Sequence, residues 1–216
     1  MTKYTKDDFK RTTWPEYGKI MEKIFKNIER YAKKNKIKID AVVPILRGGS
    51  TLGNYLAYQL HVLRILPVQY KYFFTGKNQA ELRQLLFTPK KSMYKSKPTF
   101  LLVEGDQCFG STVIEAAKDL KKVFPNCRIL HAADCLDYKY RNSAKKYVEK
   151  IFHGEYTNHC EELTPQQCKK LKIGKTTIAP WEIYEEEIAT MEGRPFKYID
   201  KKITQTQSKK KAEYKF

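Results

Sequence analysis

The sequence predicts an α/β fold with a mostly parallel sheet flanked by helices. Three observations support this prediction. Short apolar runs alternate with amphipathic stretches, which is the order that builds parallel strands joined by helices. Two of these runs end in glycine-containing turns, and a helical pattern follows each turn. The chain has 216 residues, of which 41% are hydrophobic. This is enough for one domain of ordinary size with its own core.

The first predicted helix covers residues 15–36. Its apolar residues recur at three- and four-residue spacing with Lys and Glu between them, so one face can cover a sheet. Thr13 is the predicted N-cap and Pro15 lies in the first turn. The apolar run 39-IDAVVPIL-46 then predicts a buried strand, which ends in a tight turn at residues 47–49.

A second helix is predicted over residues 51–61, followed by strand-forming residues at 62–74. Residues 75–98 are polar and basic, so we expect a long excursion there, either a hairpin or a flexible flap. The strand 99-TFLLVE-104, a helix over 111–123 and a strand over 127–135 complete the predicted sheet. Because the carboxyl ends of parallel strands share one edge, the ligand site is expected at that edge.

The remainder of the chain is less periodic. A short helix is predicted at 164–172 and a short strand within 176–183. The N-terminal segment and the residues after about 140 are expected to form a small hood. We predict one domain over residues 1–196, followed by a basic, disordered tail at 197–216.

The net charge is +18, from 42 Lys and Arg against 24 acids. This balance indicates an anionic partner, which is a phosphorylated small molecule, nucleic acid or a membrane surface. Much of the charge is Lys scattered through the chain, which favours a solvated surface for most of it. No apolar run approaches the roughly 18 residues that span a bilayer, and the N-terminus is charged. We therefore expect a cytoplasmic protein without a membrane partner. Five widely spaced cysteines predict reduced thiols.

The stretch 100-FLLVEGDQCFGST-112 carries the predicted chemistry. A strand, a glycine turn and a helix start form an anion cradle, because free backbone N–H groups point at the ligand. Gly110, Ser111 and Thr112 supply this turn and two hydroxyl donors. Glu104 and Asp106 lie just upstream and can hold ribose hydroxyls or the water on a magnesium ion. A sugar phosphate fits this combination.

The same stretch resembles the phosphoribosyl pyrophosphate (PRPP) loop of the type I phosphoribosyltransferases, which reads as hydrophobics, two acids and Thr-Gly-x-Thr. Three further features agree. The stretch 39-IDAVVPILRGGS-50 is similar to the first strand and pyrophosphate loop of that family. The helix that contains Trp14 precedes it, as in the xanthine–guanine type. The stretch 178-IAPWE-182 is similar to a Pro-Trp-acid segment of the 6-oxopurine members. The resemblance covers about residues 14–185.

The resemblance implies a transfer of ribose 5-phosphate from PRPP to a purine-like base with release of pyrophosphate, a reaction of purine salvage that uses Mg²⁺. It assigns catalysis and magnesium binding to Glu104 and Asp106. It assigns PRPP binding to six residues of the two turns: Arg47, Gly48, Gly49, Gly110, Ser111 and Thr112. It assigns base binding to Lys139, Trp181 and Glu182. The flap would close over the site and exclude water. We also expect a homo-oligomer.

The sequence departs from the family pattern at four positions. Gly105 replaces the second acid, Cys108 replaces an acid near the base, Phe109 replaces the first Thr, and Thr176 replaces a stacking aromatic residue. Two interpretations follow: an active transferase with a different acceptor, or a catalytically reduced module that binds phosphosugars, nucleotides or nucleic acid in a regulatory role.

Two weaker hypotheses concern cysteine. Cys108 is either a nucleophile at a helix start or a small buried residue. A zinc site is the other hypothesis, although a Cys-x-x-Cys hook is missing from its candidate ligands. These candidates are His153, His159, Cys160 and Cys168.

Overall fold

The computed structural model describes residues 4–76, 79–94, 97–158, 163–171, 173–174 and 176–192. The strands in this part of the chain are β1 (Phe9–Arg11), β2 (Ala41–Leu46), β3 (Val68–Gly76), β4 (Gln79–Phe87), β5 (Thr99–Gln107), β6 (Arg128–Asp137), β7 (Lys150–Thr157) and β8 (Thr176–Ile178). The helices are α1 (Trp14–Asn35), α2 (Ser50–Gln59), α3 (Ser111–Val123), α4 (Pro165–Leu171) and α5 (Tyr184–Met191).

Six strands form the central sheet in the order β4-β3-β2-β5-β6-β7. All neighbouring pairs run parallel except β3 and β4, which are antiparallel. The predicted α/β class with a mostly parallel sheet is therefore confirmed. The central strands are apolar along most of their length because helices cover both faces.

Alternate residues of β5 face the two layers of the core. Phe100 and Leu102 pack with α3 on one face. Leu101 and Val103 pack with α1 and α2 on the other face. All four side chains are fully buried. This period of two is what an extended strand between two helical layers requires.

Helix α1 agrees with its sequence prediction to within a residue at each end. The Thr13 hydroxyl accepts the N–H of Glu16, and the Glu16 carboxylate accepts the N–H of Thr13, which forms a capping box. The helix ends where Lys36 adopts a left-handed conformation. Its buried face carries Ile20, Ile24 and Ile28, which pack against the sheet.

The predicted excursion at 75–98 is in large part a β-hairpin, formed by β3 and β4. The hairpin alternative is thus confirmed, although the bounds of β4 were not predicted. The base of the hairpin is fixed to α3, because the Tyr70 hydroxyl and the Gln84 amide both donate to Asp119, at 2.9 and 2.8 Å. The predicted flexibility of the flap stays a prediction.

The hood is smaller than predicted. Parallel strands β1 and β8 form a separate two-stranded sheet, and its core contains Tyr4, Phe9 and Ile178, with α5 packed against it. Residues just after 140 belong instead to the body, since β7 joins the central sheet beside β6. The predicted tail at 197–216 lies outside the described residues. Across the ranges given above, no helix is long and apolar enough to cross a membrane.

Candidate phosphosugar site

Two turns meet at the carboxyl edge of the central sheet, as the sequence predicts. The β2–α2 turn (residues 47–49) follows β2, and the β5–α3 loop (residues 108–110) follows β5. Because β2 and β5 are adjacent and parallel, both turns lie at the same edge. A cleft of about 270 Å³ opens there. Its lining includes Gly48, Glu104, Asp106, Gly110, Ser111 and Thr112.

The β5–α3 loop presents the start of α3 to this cleft. Gly110 precedes the helix with φ of +81°, the left-handed region that glycine adopts without strain. A Cβ at this position would also overlap the Ser143 hydroxyl. The first-turn amides of a helix have no partner within the helix, and α3 receives no side-chain cap from Gly110. Ser111 and Thr112 therefore offer N–H groups and hydroxyls to an anion.

The β2–α2 turn packs tightly against the backbone of β5. A Cβ on Gly49 would overlap the Val103 carbonyl, so only glycine fits there. A Cβ on Gly105 would lie 3.1–3.2 Å from backbone atoms of Gly48. This contact gives a physical reason for the departure from the two-acid pattern at position 105. The peptide bond between Leu46 and Arg47 is cis.

Arg47 lies at the rim of the site and not among the described residues that line the cleft. Its guanidinium forms an ion pair with Glu186 of α5. The ammonium of Lys71 lies 4.0 Å from the same carboxylate. Arg47, the residue predicted to bind pyrophosphate, is thus paired with an acid of the hood.

Four carboxyl groups cluster around the inner cleft: Glu104, Asp106, Asp134 and Glu182. Burial raises the pKa of Glu104 to about 8, and the charges of Asp134, Asp106 and Glu182 add to this effect. Burial and the charge of Asp106 raise the pKa of Asp134 to about 8 as well. The pKa of Glu182 is also raised, mainly by burial. Among the described lining residues none is Lys, Arg or His, so the cleft is acidic.

The inner end of the site is a niche of about 10 Å³, the size of one water molecule. Asp106 and Glu182 line both the niche and the cleft. The Tyr17 hydroxyl donates to Asp134 at 2.9 Å, and the backbone N–H of Cys135 donates to the same carboxylate at 2.6 Å. Sequence reasoning missed Tyr17 and Asp134. The available signal was an acid inside the mainly apolar strand 127-CRILHAADC-135.

The three predicted base-binding residues do not converge. Glu182 lines the cleft and accepts the N–H of Ala179 at 2.7 Å. The Trp181 ring packs against Tyr17, with centroids 4.7 Å apart, and joins the hood to α1. Lys139 is exposed in the turn after β6, and its N–H donates to Asp137 at 2.9 Å. It is absent from the described lining of the cleft, and its role stays a prediction.

The expectation of reduced thiols was wrong for Cys108, which is disulfide-bonded. A disulfide-bonded sulfur is not a thiolate nucleophile. Cys127, Cys135 and Cys168 are free thiols. Two of the candidate zinc ligands, His159 and Cys160, lie outside the described residues. Within the part of the chain that is described, no group of three or more His, Cys, Asp or Glu side chains could hold a metal ion.

Comparisons with known proteins identify the fold. No protein-family model matches the sequence, and no curated protein matches it either. A purine phosphoribosyltransferase from Pyrococcus horikoshii superposes with a TM-score of 0.57 at 13% identity, over 90% of this chain and 99% of that chain. A Helicobacter pylori xanthine-guanine-hypoxanthine phosphoribosyltransferase gives 0.56 at 14% identity, over 83% and 97%.

A hypothetical protein from Neisseria gonorrhoeae with bound ppGpp gives a TM-score of 0.60 at 15% identity, over 86% of this chain and 97% of that chain. At such identities the likeness concerns the fold alone. The chain has the type I phosphoribosyltransferase fold that its sequence motifs predicted.

Proposed function

We propose that this chain transfers ribose 5-phosphate from PRPP to a purine-like base and releases pyrophosphate. One observation carries the proposal: a helix start, two acids and a glycine turn line the same cleft, and these are the groups that a phosphorylated ribose with a pyrophosphate leaving group requires. The acids Glu104 and Asp106 share this lining with Gly48 and the hydroxyl-bearing start of α3, and a Cβ on Gly48 would lie 3.3 Å from the Glu104 carboxyl group.

The PRPP groups would divide among these elements. The 5-phosphate would bind the N–H groups and hydroxyls of Ser111 and Thr112, where the helix dipole favours an anion. The ribose hydroxyls would bind Glu104. Pyrophosphate would bind the amide groups of Gly48 and Gly49 and displace Glu186 from Arg47.

Magnesium fits the residues present. An acidic cleft whose described lining holds no Lys, Arg or His is unfavourable for a polyphosphate unless a metal ion accompanies it. Mg²⁺ is usually held by one or two carboxylates together with substrate phosphates, so no cage of three protein ligands is needed. Glu104 and Asp106 would hold the ion, which would neutralise charge on the leaving pyrophosphate. Binding of the ion would lower the raised pKa of Glu104 and release its proton.

The base would lie on the hood side of the ribose, next to Glu182. The hairpin supports closure of the site, because Tyr72 on β3 already lines the cleft. Closure of the hairpin would exclude water from the transition state, which otherwise hydrolyses PRPP.

A second candidate is a catalytically reduced module that binds phosphosugars or nucleotides. The ion pair between Arg47 and Glu186, the glycine at position 105 and Phe109 in the loop favour it. A structural neighbour with bound ppGpp also supports nucleotide binding by this fold.

Calorimetry distinguishes the two candidates. PRPP is titrated with Mg²⁺, and pyrophosphate release is then followed on adding guanine, hypoxanthine, xanthine or adenine. Release with one base supports the transferase and identifies its acceptor. Binding of PRPP or ppGpp without release supports the reduced module. Glu104→Ala is expected to abolish release, whereas Glu29→Ala on α1 is the matched control and retains it. Failure to bind PRPP would overturn the transferase.

A further inference from the structure

A polar network of three side chains, two of them buried, joins the β5–α3 loop to β6 and to the segment that follows it. His131 on β6 is fully buried, and its Nδ1 lies 3.1 Å from the Leu102 carbonyl oxygen. Its Nε2 lies 2.6 Å from the side-chain amide oxygen of Gln107. The amide nitrogen of Gln107 lies 3.3 Å from the Ser143 hydroxyl. The line thus runs from the backbone of β5 to the support segment, residues 138–147.

The protonation of His131 fixes the direction of these hydrogen bonds. Burial lowers the pKa of His131 to about 4, so the ring is neutral near pH 7 and carries one N–H. The Leu102 carbonyl can only accept, which places the hydrogen on Nδ1 and makes Nε2 an acceptor. Gln107 then turns its N–H₂ group to the ring and its oxygen to Ser143, with the amide rotated by 180°. Each of the three contacts then joins a donor to an acceptor.

Buried polar side chains cost free energy unless their hydrogen bonds are made. The neighbouring core positions hold apolar residues instead. The place of these three side chains in the fold indicates what they do. Gln107 is the last residue of β5, where the chain leaves the sheet to form the loop. Gly110 approaches the same Ser143 hydroxyl so closely that a Cβ would overlap it. Phe109 contacts Tyr140, with ring centroids 4.8 Å apart. The loop therefore rests on the support segment at three of four successive residues.

We propose that His131, Gln107 and Ser143 are positioning residues, which hold the β5–α3 loop in the shape that binds a substrate phosphate. The inference rests on the proposed function, because the phosphate is the 5-phosphate of PRPP. A loop that shifts by more than about 0.5 Å no longer aims its N–H groups at the ligand. Loss of the hydrogen bonds among His131, Gln107 and Ser143 should weaken phosphate binding without affecting the β2–α2 turn.

Two probes separate positioning from general stability. Ribose 5-phosphate tests the β5–α3 loop, and pyrophosphate with Mg²⁺ tests the β2–α2 turn, both by calorimetry on the full chain. Ser143→Ala is expected to weaken ribose 5-phosphate binding about tenfold, the effect of losing one well-placed interaction. Pyrophosphate affinity is expected to stay unchanged. Gln107→Leu should act in the same direction, and its folding is checked by thermal unfolding. Asn142→Ala, an exposed neighbour, is the matched control.

Each outcome decides the inference. Equal ribose 5-phosphate affinity in Ser143→Ala and the wild type would overturn it and leave the proposed function intact. An equal loss of affinity for ribose 5-phosphate and pyrophosphate, together with a lower Tm, would also overturn it. The three polar side chains would then only stabilise the fold. A wild-type protein that binds neither probe would overturn the proposed function as well.

Discussion

Glu104 is a carboxyl group that the fold holds largely protonated near neutral pH. Burial and the nearby carboxylates raise its pKa from 4.5 to about 8. Between these two values the folded state binds more protons than the unfolded state. The contribution of Glu104 to the free energy of unfolding is therefore greatest at low pH and is lost as the pH rises through 8.

Replacement of Glu104 by Gln should remove this pH dependence. Gln keeps an oxygen to accept the N–H of Gly105, which Glu104 accepts at 3.1 Å, and it has no charge to bury. At pH 9 the variant should melt about 2–4 °C above the wild type, the shift that about 1 kcal/mol produces in a domain of this size. At pH 5 the difference should nearly vanish. Thermal unfolding at the two pH values measures this. Glu29→Gln on α1 is the control, and an equal offset at both pH values would contradict the prediction.

At the scale of elements, helix α5 contacts the β2–α2 turn through Glu186, one of the acids at its N-terminus. Glu186 occupies the guanidinium of Arg47 that pyrophosphate would bind, and it does so with only 14% of its side chain exposed. Glu185, one residue earlier, instead pairs with Lys6 at 3.1 Å. The two neighbouring acids thus give a matched comparison on one helix.

Glu186→Gln should tighten pyrophosphate binding about three- to tenfold, because Arg47 no longer has to leave an ion pair. Glu185→Gln should leave the affinity for pyrophosphate unchanged, because Glu185 pairs with Lys6 and Arg47 pairs with Glu186. The ion pair of Glu185 with Lys6 joins two exposed side chains and contributes only about 0–1 kcal/mol to stability. Calorimetry with pyrophosphate and Mg²⁺ measures both. Weaker binding by Glu186→Gln would show that the acid orients Arg47 for the ligand and does not compete with it.

Arg11 fixes the hood strand β1 to the segment before α5. Its guanidinium donates to the carbonyls of Ala179, Pro180 and Glu182 at 3.3, 3.2 and 2.9 Å, and it lies 4.4 Å from the centre of the Tyr184 ring. Lys cannot reproduce this planar set of donors.

Arg11→Lys should therefore destabilise the hood by about 1–3 kcal/mol. Hydrogen exchange should show faster amide exchange across residues 176–191, with α3 unchanged. Lys10→Ala is the control, because the Lys10 side chain forms an exposed ion pair with Glu16 at 3.7 Å. Uniform acceleration across the whole domain would contradict a local effect.

The sequence predicted the elements whose local signals agree with their surroundings. Helix α3 was predicted with its observed bounds because its apolar period, the preceding Gly110 and the following Pro125 all coincide. Strand β4 was missed because it is an edge strand with a largely exposed, polar surface. Strand β7 was missed because Gly154 interrupts its pattern of strand-forming residues. That glycine allows α1 to approach, since a Cβ would overlap the Ile20 side chain.

The site was predicted only where it depends on consecutive residues. The β5–α3 loop is one stretch of sequence, and its acids and hydroxyls line one cleft. The partners of these residues come from distant positions. Glu182 was predicted through the resemblance of 178-IAPWE-182, whereas Asp134 and Glu186 reach the site through strand order and hood packing, which local pattern does not determine. Lys139 was assigned from the family resemblance and its place after the strand 127–135. It lies in the exposed turn after β6, and its role stays a prediction.

At the scale of the whole molecule, the charge of the chain is opposite to that of its cleft. The net charge is +18, yet the described lining of the cleft and niche contains acids and no Lys, Arg or His. A polyanion attracted to the outer surface meets carboxylates at the cleft. A small phosphate ligand can enter with Mg²⁺, whereas a nucleic-acid strand would have to place several phosphates against these acids.

Nucleic acid should therefore bind the basic surface outside the cleft, and it should not compete with PRPP. Affinity for a fluorescent single-stranded RNA should fall by about 10³-fold or more between 50 and 200 mM salt, the response of several screened phosphate contacts. Saturating PRPP with Mg²⁺ should leave that affinity unchanged at fixed ionic strength. A chain that ends at residue 196 tests whether the basic stretch 197–216 supplies the contacts. Stoichiometric displacement of the RNA by PRPP would place both ligands in the cleft and would favour the regulatory module over the transferase.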